Sequence, residues 1–576
     1  MESGRRRTIR TLIPLVQLLL AAALTFLLVE DAAAKTHVSR HLAVHVEEGW
    51  VRGRYQHTVY GYPYVSFSGI PYAEPPVGSL RYKSPVPKGS WIGELDATVE
   101  GSPCPQVNDS GAYLGKEDCL YLNVYVPHAQ RRTFGSRNDL LKVMVWIHGG
   151  GFVQGDGGRA QFGPDFLIER GIILVTFNYR LGVLGFLSME SEAAPGNYGL
   201  KDQTLALQWV RRNIRSFGGD PDDVTLFGES AGAASVHYHL LSNSSWGLFS
   251  RAIAASASAL SPWAFTRSPR QRARSLAAAL GLPTNASDRQ ALHLLSRVPP
   301  WLLLTHTRAA LSQRDNASLF TFVFVPSVEP IHDGAFLTEE PSLLLLKGQF
   351  LHVPYITGVN SKEGNFFVSA AAGGSLSTNE SLANFNKNFV GIIGPDIRDS
   401  VEFNQNTIAE MARGLYYGNS PITRKKDLNT SNLLSDLFFE ESVDTVVRVM
   451  AEVSHEPVRY YRFSFKGPNS AVPDEPGVPH GEDLKYLFRT TLSKQNLDRD
   501  SDEGKTRDRM VGMWTNFAKY GDPTPITTMQ LTTTWKPYTE SDQYYLDIGT
   551  DLKLDSSLDE ERMDFWHQVL PPLRHI

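Results

Sequence analysis

Ser230 stands between two glycines in Gly228-Glu-Ser-Ala-Gly232, directly after the apolar run Val224-Thr-Leu-Phe227 and before a series of small residues. A serine hydroxyl is a weak nucleophile and needs a base to take its proton. The G-x-S-x-G pattern on a strand-to-helix turn lifts the hydroxyl to where a base and oxyanion donors reach it. That turn strains the backbone at the serine, and Gly228 and Gly232 leave room for strand and helix to close on each other. A second element of the same chemistry is His148-Gly-Gly-Gly-Phe152, which follows Lys142-Val-Met-Val-Trp-Ile147. Glycines there present backbone N–H groups with no side chain in the way, and such a segment supplies an oxyanion hole together with the N–H after the nucleophile. The expected donors are Gly150, Gly151 and Ala231, and one such donor is worth about 2.7–4 kcal/mol of barrier.

Serine chemistry of this kind also needs a base and an acid that orients it. On this plan they follow the nucleophile in the order acid, base. The run Val353-Pro-Tyr-Ile-Thr-Gly358 reads as a strand, and Val359-Asn-Ser-Lys-Glu-Gly364 after it offers Glu363 as the acid. The next strand-like run, Val458-Arg-Tyr-Tyr-Arg-Phe-Ser-Phe465, leads to Gly477-Val-Pro-His-Gly-Glu482 and offers His480 as the base. His237 and His239 lie on the helix expected after Ser230, which carries them away from its hydroxyl. His306, His332 and His352 come before or at the acid-bearing strand. A histidine base of ordinary pKa makes kcat/KM fall on the acid side of about pH 6–7.

The elements that must position these residues are legible as runs. Further apolar, β-branched stretches are Ile172-Ile-Leu-Val-Thr-Phe177 and Arg251-Ala-Ile-Ala-Ala255. Continuous apolar runs suit strands buried on both faces, as in a parallel sheet. Amphipathic stretches at 203–214 and 509–518 read as helices. Strand and helix in alternation predict an α/β fold, with a mostly parallel sheet and helices on both faces. The segment at about 40–135, rich in Gly, Pro and Tyr, reads as antiparallel strands and loops. Residues 265–345 and 370–455 read as helical insertions roofing an active site.

The bulk numbers narrow the class. A chain of 576 residues, 42% hydrophobic and 20% charged, is long enough for a large core. A net charge of −5 with no basic block after the N-terminus argues against a nucleic-acid partner. Residues 1–34 read as a signal peptide: arginines at 5, 6, 7 and 10, an apolar run from Leu12 to Val29, and Ala32-Ala-Ala34 as a cleavage site. The run is also long enough to stay as an anchor, and the alanine site favours cleavage. No second hydrophobic span is read near the C-terminus. Sequons at Asn108, Asn243, Asn285, Asn316, Asn379 and Asn429 behind that leader fit a secreted glycoprotein. The two cysteines, Cys104 and Cys119, most simply pair in an oxidising compartment, closing a loop worth roughly 3 kcal/mol in the chain-entropy picture. No cofactor or metal is called for.

Together these motifs resemble the type-B carboxylesterase/cholinesterase family of α/β-hydrolases. The resemblance runs from Phe67-Ser-Gly-Ile-Pro-Tyr-Ala-Glu-Pro-Pro76 to Phe565-Trp-His567. Its most specific parts are Glu117-Asp-Cys-Leu-Tyr-Leu-Asn-Val-Tyr125 and the long elbow Phe217-Gly-Gly-Asp-Pro-Asp-Asp-Val-Thr-Leu-Phe-Gly-Glu-Ser-Ala-Gly232. It implies one catalytic domain over 35–576, an active-site gorge under the insertions, and hydrolysis of small-molecule esters through an acyl-enzyme. It places Ser230, Glu363 and His480 in the triad and Gly150, Gly151 and Ala231 in the oxyanion hole. Cys104–Cys119 matches the family's first disulfide. Trp263, in Ser261-Pro-Trp263, matches a position that lines the acyl pocket in relatives, where an indole favours short acyl groups. Phe366 and Phe367, just past the acid, are expected on the alcohol side. Asp483 and Ser256 are expected to support the triad through water.

Departures sharpen the expectation. Cholinesterases carry a tryptophan between the cysteines of that disulfide, and Pro105–Asp118 has none. A quaternary ammonium loses its main cation–π partner there. Juvenile hormone esterases usually carry glutamine before the nucleophile, where this chain has Glu229. The wording Gly477-Val-Pro-His-Gly-Glu-Asp-Leu-Lys-Tyr-Leu-Phe488 is most similar to secreted arthropod esterases. A juvenile hormone esterase and a non-catalytic cell-surface adhesion member of the family are the rival readings. The sequence leaves the oligomeric state open.

Overall fold

The computed structural model describes residues 42–570 apart from Asp109, 128–139 and 399–400. The expected leader, 1–34, lies outside the described residues. An eleven-stranded sheet forms the centre. Its strands in chain order are β1 (Arg54–His57), β2 (Pro63–Pro71), β3 (Tyr121–Pro127), β4 (Leu141–Ile147), β5 (Ile173–Phe177), β6 (Gly219–Glu229), β7 (Arg251–Ala255), β8 (Tyr355–Asn360), β9 (Val458–Phe463), β10 (Tyr544–Ile548) and β11 (Leu552–Ser556). Their spatial order is β11-β10-β9-β8-β7-β6-β4-β5-β3-β2-β1. The stretch from β5 to β10 is parallel throughout, and antiparallel strands close both edges. This is the mostly parallel α/β sheet the apolar runs predict, with the expected antiparallel strands in the N-terminal segment and a further antiparallel strand, β11, at the opposite edge.

Alternation along each strand builds a core on each face. On β4, Val143, Val145 and Ile147 join one apolar cluster, with Leu226 of β6 and the helix α1 (Tyr198–Asn213). Met144 and Trp146 join the other, with Phe227, Met510 and Trp514. Trp146 packs 4.8 Å from Phe227 and 4.7 Å from Phe488, and burial of a side chain of this kind contributes about 1.5–3 kcal/mol. The helix α2 (Ala231–Leu241) follows β6, and α3 (Asp502–Tyr520) covers the second face.

Boundaries shift for local reasons. β8 begins at Tyr355, two residues later than the apolar run, because Pro354 has no N–H for the ladder. β6 begins earlier, at Gly219, through a bulge between Gly219 and Val224. The Asp223 carboxylate in that bulge is held by Lys142 (2.5 Å) and by Arg251. Cys104 and Cys119 are disulfide-bonded, and the loop they close holds a small hairpin, Gln106–Val107 with Tyr113–Leu114. Among the described residues no helix is long and apolar enough to cross a membrane.

Candidate active site

Ser230 sits on the turn between β6 and α2 at φ 57°, ψ −124°, a left-handed conformation rare for a residue with a Cβ. Small neighbours make the turn possible. A Cβ on Gly228 would fall 2.5 Å from the Gly232 carbonyl carbon, and one on Gly232 would fall 2.1 Å from the Ile147 oxygen. The serine N–H donates to the Ala255 carbonyl (2.9 Å), which anchors the turn to β7. The eleven-residue α2 starts directly behind it, so the positive end of the helix points at the reaction centre.

The glycine run after β4 lies against this turn. A Cβ on Gly149 would meet the Glu229 carboxylate at 2.8 Å and the Ser230 Cβ at 3.1 Å. Gly150 and Gly151 are left-handed, at φ 104° and 61°. Among the described residues, the N–H groups of Gly150, Gly151 and Ala231 donate to no backbone carbonyl outside the regular elements. Gly155 is tied to the disulfide loop by two hydrogen bonds with the Gln106 amide (2.8 and 3.0 Å).

Glu363 and His480 come together from loops 117 residues apart in sequence. His480 Nδ1 lies 2.7 Å from Glu363 Oε2, and Glu363 Oε1 accepts the Asn360 N–H at 2.7 Å. Glu363 is fully buried, not a solvated loop glutamate. Asn360 does more than close β8. Its amide donates to the Pro479 carbonyl (3.0 Å) and to Asp483 (3.1 Å), which fixes the base-bearing loop to the acid-bearing one. The Lys362 N–H to Val478 carbonyl bond (2.9 Å) and the Val478 N–H to Ser361 hydroxyl bond (3.0 Å) complete the seam.

The other edge of the imidazole faces Glu229. His480 Nε2 is 3.2 Å from Glu229 Oε1, and no hydrogen bond joins it to the Ser230 hydroxyl. Burial alone would push the His480 pKa down, but the Glu229 and Glu363 carboxylates outweigh it and raise it to about 9. Burial pushes the Glu229 carboxyl up to about 8, against the pull of His480. The imidazole therefore holds its proton above the ordinary histidine range. Burial also pushes Asp483 up to about 6. One oxygen of Asp483 and the hydroxyl of Ser256, itself left-handed at φ 62°, are buried without a protein partner. His237 accepts the Ala259 N–H (3.1 Å) and His239 bonds Ser245 and Gln203; burial pushes both down to about 3, so they remain neutral packing groups.

Aromatic rings wall the centre. Phe439 lies 4.3 Å and Phe366 5.8 Å from the His480 ring. Trp263 is buried, donates Nε1 to the Phe438 carbonyl (2.8 Å) and packs against Phe152, Phe320, Phe322 and Phe439. Phe320 touches Trp263 on one side and Phe366 and Phe367 on the other. Phe322 covers Gly151, where a Cβ would fall 2.3 Å from its ring. Sequence reasoning missed Phe320, Phe322 and Phe439; the alternation Phe320-Thr-Phe322 in a loop was the available signal. Phe438 and Phe439 belong to a π-helical turn, Asp436–Glu440, an irregularity often found at functional sites. Among the described residues no group of three or more His, Cys, Asp or Glu is placed to hold a metal ion.

The sequons differ in exposure. Asn243, Asn285, Asn316 and Asn379 are exposed, while Asn108 and Asn429 are half-buried. The Asn429 amide nitrogen, the atom a glycan would occupy, donates to the Tyr416 carbonyl.

The carboxylesterase family model matches residues 40–566. A carboxylic ester hydrolase of Bombus ignitus is 35% identical over 542 residues, covering 90% of this chain and 93% of that one. A juvenile hormone esterase of Tribolium castaneum is 35% identical over 520 residues, 84% of each chain. Venom carboxylesterase-6 of Apis mellifera is 34% identical over 491 residues, 82% of this chain and 85% of that one.

Proposed function

The chain belongs to the carboxylesterase family of ester hydrolases, and we propose that it cleaves short-acyl esters through an acyl-enzyme on Ser230. The observation that carries this reading is the joining of His480 to Glu363 at 2.7 Å beside a serine held on a left-handed turn. His480 takes the Ser230 proton through Nε2 as the hydroxyl attacks the ester carbonyl. Glu363 holds the imidazole by Nδ1 and stabilises the imidazolium without being protonated itself. The carbonyl oxygen, as it becomes negative, is met by the N–H groups of Gly150, Gly151 and Ala231. His480 returns its proton to the leaving alcohol, and water then cleaves the acyl-enzyme by the same route. Attack requires Nε2 to be proton-free and turned to Ser230, so the proton shared with Glu229 must leave first. Asp483 and Ser256 support the pair through water.

Trp263, with the rings around it, limits the acyl side, and Phe366 and Phe367 take the alcohol side. Residues 35–576 form one catalytic domain behind a signal peptide at 1–34, and the protein is secreted and glycosylated. A single family match over 40–566 supports the first statement, and the sequence of the leader supports the second. The purified protein is expected to hydrolyse p-nitrophenyl acetate and to lose that activity to an organophosphate that labels Ser230. No turnover and no label would leave the adhesion reading standing. A juvenile hormone is included in the substrate panel, since one relative carries that activity in its name.

A further inference from the structure

The glycine run that carries two of the oxyanion donors cannot hold its own shape. Glycine has more backbone freedom than any other residue, so Gly149, Gly150 and Gly151 lose the most entropy on being fixed. An oxyanion hole works only when its donors are already in place as charge develops on the substrate oxygen. Something outside the run must therefore fix it, and the return leg Val153-Gln-Gly155 lies directly against it. The Gly150 carbonyl accepts the Val153 and Gln154 N–H groups (3.0 Å each), and a Cβ on Gly150 would fall 2.1 Å from the Gln154 oxygen. A Cβ on Gly155 would fall 2.5 Å from His148 Nδ1 and 2.7 Å from the Gly149 oxygen. The two legs touch backbone to backbone, so a shift of Gly155 passes to Gly149 and Gly150.

The return leg is itself rich in glycine, and it is held from two directions. Gly157 is held by the sheet: its N–H donates to Asn178 (2.8 Å), and its carbonyl accepts the Thr176 hydroxyl (2.6 Å) and the Asn123 amide (3.2 Å). Gly155, left-handed at φ 109°, is held by Gln106 from the disulfide loop. Gln106 Oε1 accepts the Gly155 N–H (2.8 Å), and Nε2 donates to the Gly155 carbonyl (3.0 Å) and to the Cys104 carbonyl (3.1 Å). The side-chain nitrogen has two hydrogens and both are used, so only this orientation of the amide satisfies all three partners. Gln106 is buried, and its backbone pairs with Leu114 in the hairpin that the Cys104–Cys119 bond closes. Cys119 leads into β3, so the clamp is anchored to the sheet as well.

We propose that Gln106 is a positioning residue for the oxyanion hole: by clamping both backbone groups of Gly155, it sets where the Gly150 and Gly151 N–H groups meet the ester oxygen in the transition state. It acts through Gly155 and not by contact with the reacting atoms. The inference rests on the esterase reading and adds to it the group that holds the hole in shape. The disulfide loop, which lacks the choline-site tryptophan, then has a task of its own in catalysis. Ala231, the third donor, sits on α2 and not on this leg, so loss of the clamp weakens the hole without abolishing it.

Gln106→Met fills similar space with neither donor nor acceptor. Its kcat/KM on p-nitrophenyl acetate is expected to fall by about 10²-fold, the cost of displacing catalytic groups by about 1 Å. Affinity for a trifluoromethyl ketone, whose adduct on Ser230 places an oxyanion in the hole, is expected to fall with it. The acid limb of the pH profile is expected to stay in place, since His480 and its two carboxylates are untouched. An amide that served folding alone would lower the melting temperature and leave turnover and ketone affinity unchanged in the folded protein. Should the methionine variant fail to fold by circular dichroism, Gln106→Asn, which keeps an amide on a shorter stem, is measured the same way, with a loss of at least about tenfold expected. Turnover within about twofold of the unaltered protein in a folded variant overturns the proposal. So does a loss of kcat/KM with ketone affinity unchanged, or one that comes with a shifted acid limb, because either places the damage outside the oxyanion hole. Absence of acetate hydrolysis in the unaltered protein would instead refute the esterase reading itself.

Discussion

His480 Nε2 lies 3.2 Å from Glu229 Oε1, on the opposite edge of the imidazole from its 2.7 Å contact with Glu363. One buried base is therefore held between two carboxylates. The second is the residue directly before the nucleophile, carried there because β6 runs straight into the elbow. A carboxylate at Nε2 stabilises the protonated imidazole and so opposes the form that takes the serine proton.

The pH dependence tests this arrangement. With His480 raised to about 9, kcat/KM climbs with pH through the neutral and alkaline range as the imidazole loses its proton, later than the pH 6–7 expected of an unperturbed histidine. Glu229→Gln removes a negative neighbour and lowers the imidazole pKa. Its acid limb should move to lower pH by about one unit or more. An acid limb that stays in place in the glutamine variant would show that Glu229 does not govern the base.

Ser230→Ala should lower kcat by more than about 10⁴-fold, the loss seen when a triad nucleophile is removed. The melting curve should stay close to that of the unaltered protein, because alanine removes only a hydroxyl from the same turn. Retained turnover in the purified, folded variant would refute the nucleophile.

Much of this centre was legible because its parts obey local rules. Gly228, Ser230 and Gly232 announce a turn that only small residues permit, and His148-Gly-Gly-Gly follows a run too apolar to be anything but a buried strand. Glu363 and His480 emerged from strand order, since each lies in a loop after a readable strand. Other features depend on contacts distant in sequence. Phe320, Phe322 and Phe439 are apolar residues in apolar surroundings, and nothing local separates a pocket wall from ordinary core packing. Asn360 looks like a strand end until the loop around Pro479 is brought to its amide. Glu229 was readable as a departure from one relative's pattern, but its place at Nε2 follows from how the base-bearing loop folds back.

The acyl side gives a chain-length prediction. Trp263→Leu removes an indole held by the Phe438 carbonyl and ringed by four phenylalanines. Butyrate turnover relative to acetate should rise by about tenfold, the scale on which a few methylenes are discriminated in a hydrophobic pocket. An unchanged ratio would make Trp263 a packing residue only.

Glycan occupancy should follow the geometry of the side-chain amides. Asn285 and Asn379 are exposed and bear no hydrogen bond from their amide nitrogens among the described residues, so intact-peptide mass spectrometry of the protein purified from a glycosylating host should find both modified. Asn429, half-buried on one insertion helix, donates its amide nitrogen to the Tyr416 carbonyl of another and should remain bare. A glycan on Asn429 would mean that this region forms after modification and closes differently around it.

The π-helical turn that carries Phe439 is fixed by an ion cluster at the C-terminus. Arg562, on the terminal helix Glu560–Val569, lies 2.7 Å from Asp436, 2.8 Å from Asp559 and 3.6 Å from Glu440. Asp436 is fully buried and also accepts the Tyr416 hydroxyl. Arg562→Met leaves that carboxylate without its cation in the interior, a change that costs about 3–5 kcal/mol when a buried pair is broken on one side. Urea unfolding should show the loss, and Asp436→Asn combined with Arg562→Met should recover part of it, because the fully buried carboxylate that Arg562 paired with is then gone. The single variant should also weaken kcat more than KM, since Phe439 packs on His480 and not on a distant surface. Equal stability in the single and double variants would show that the cluster does not hold the turn.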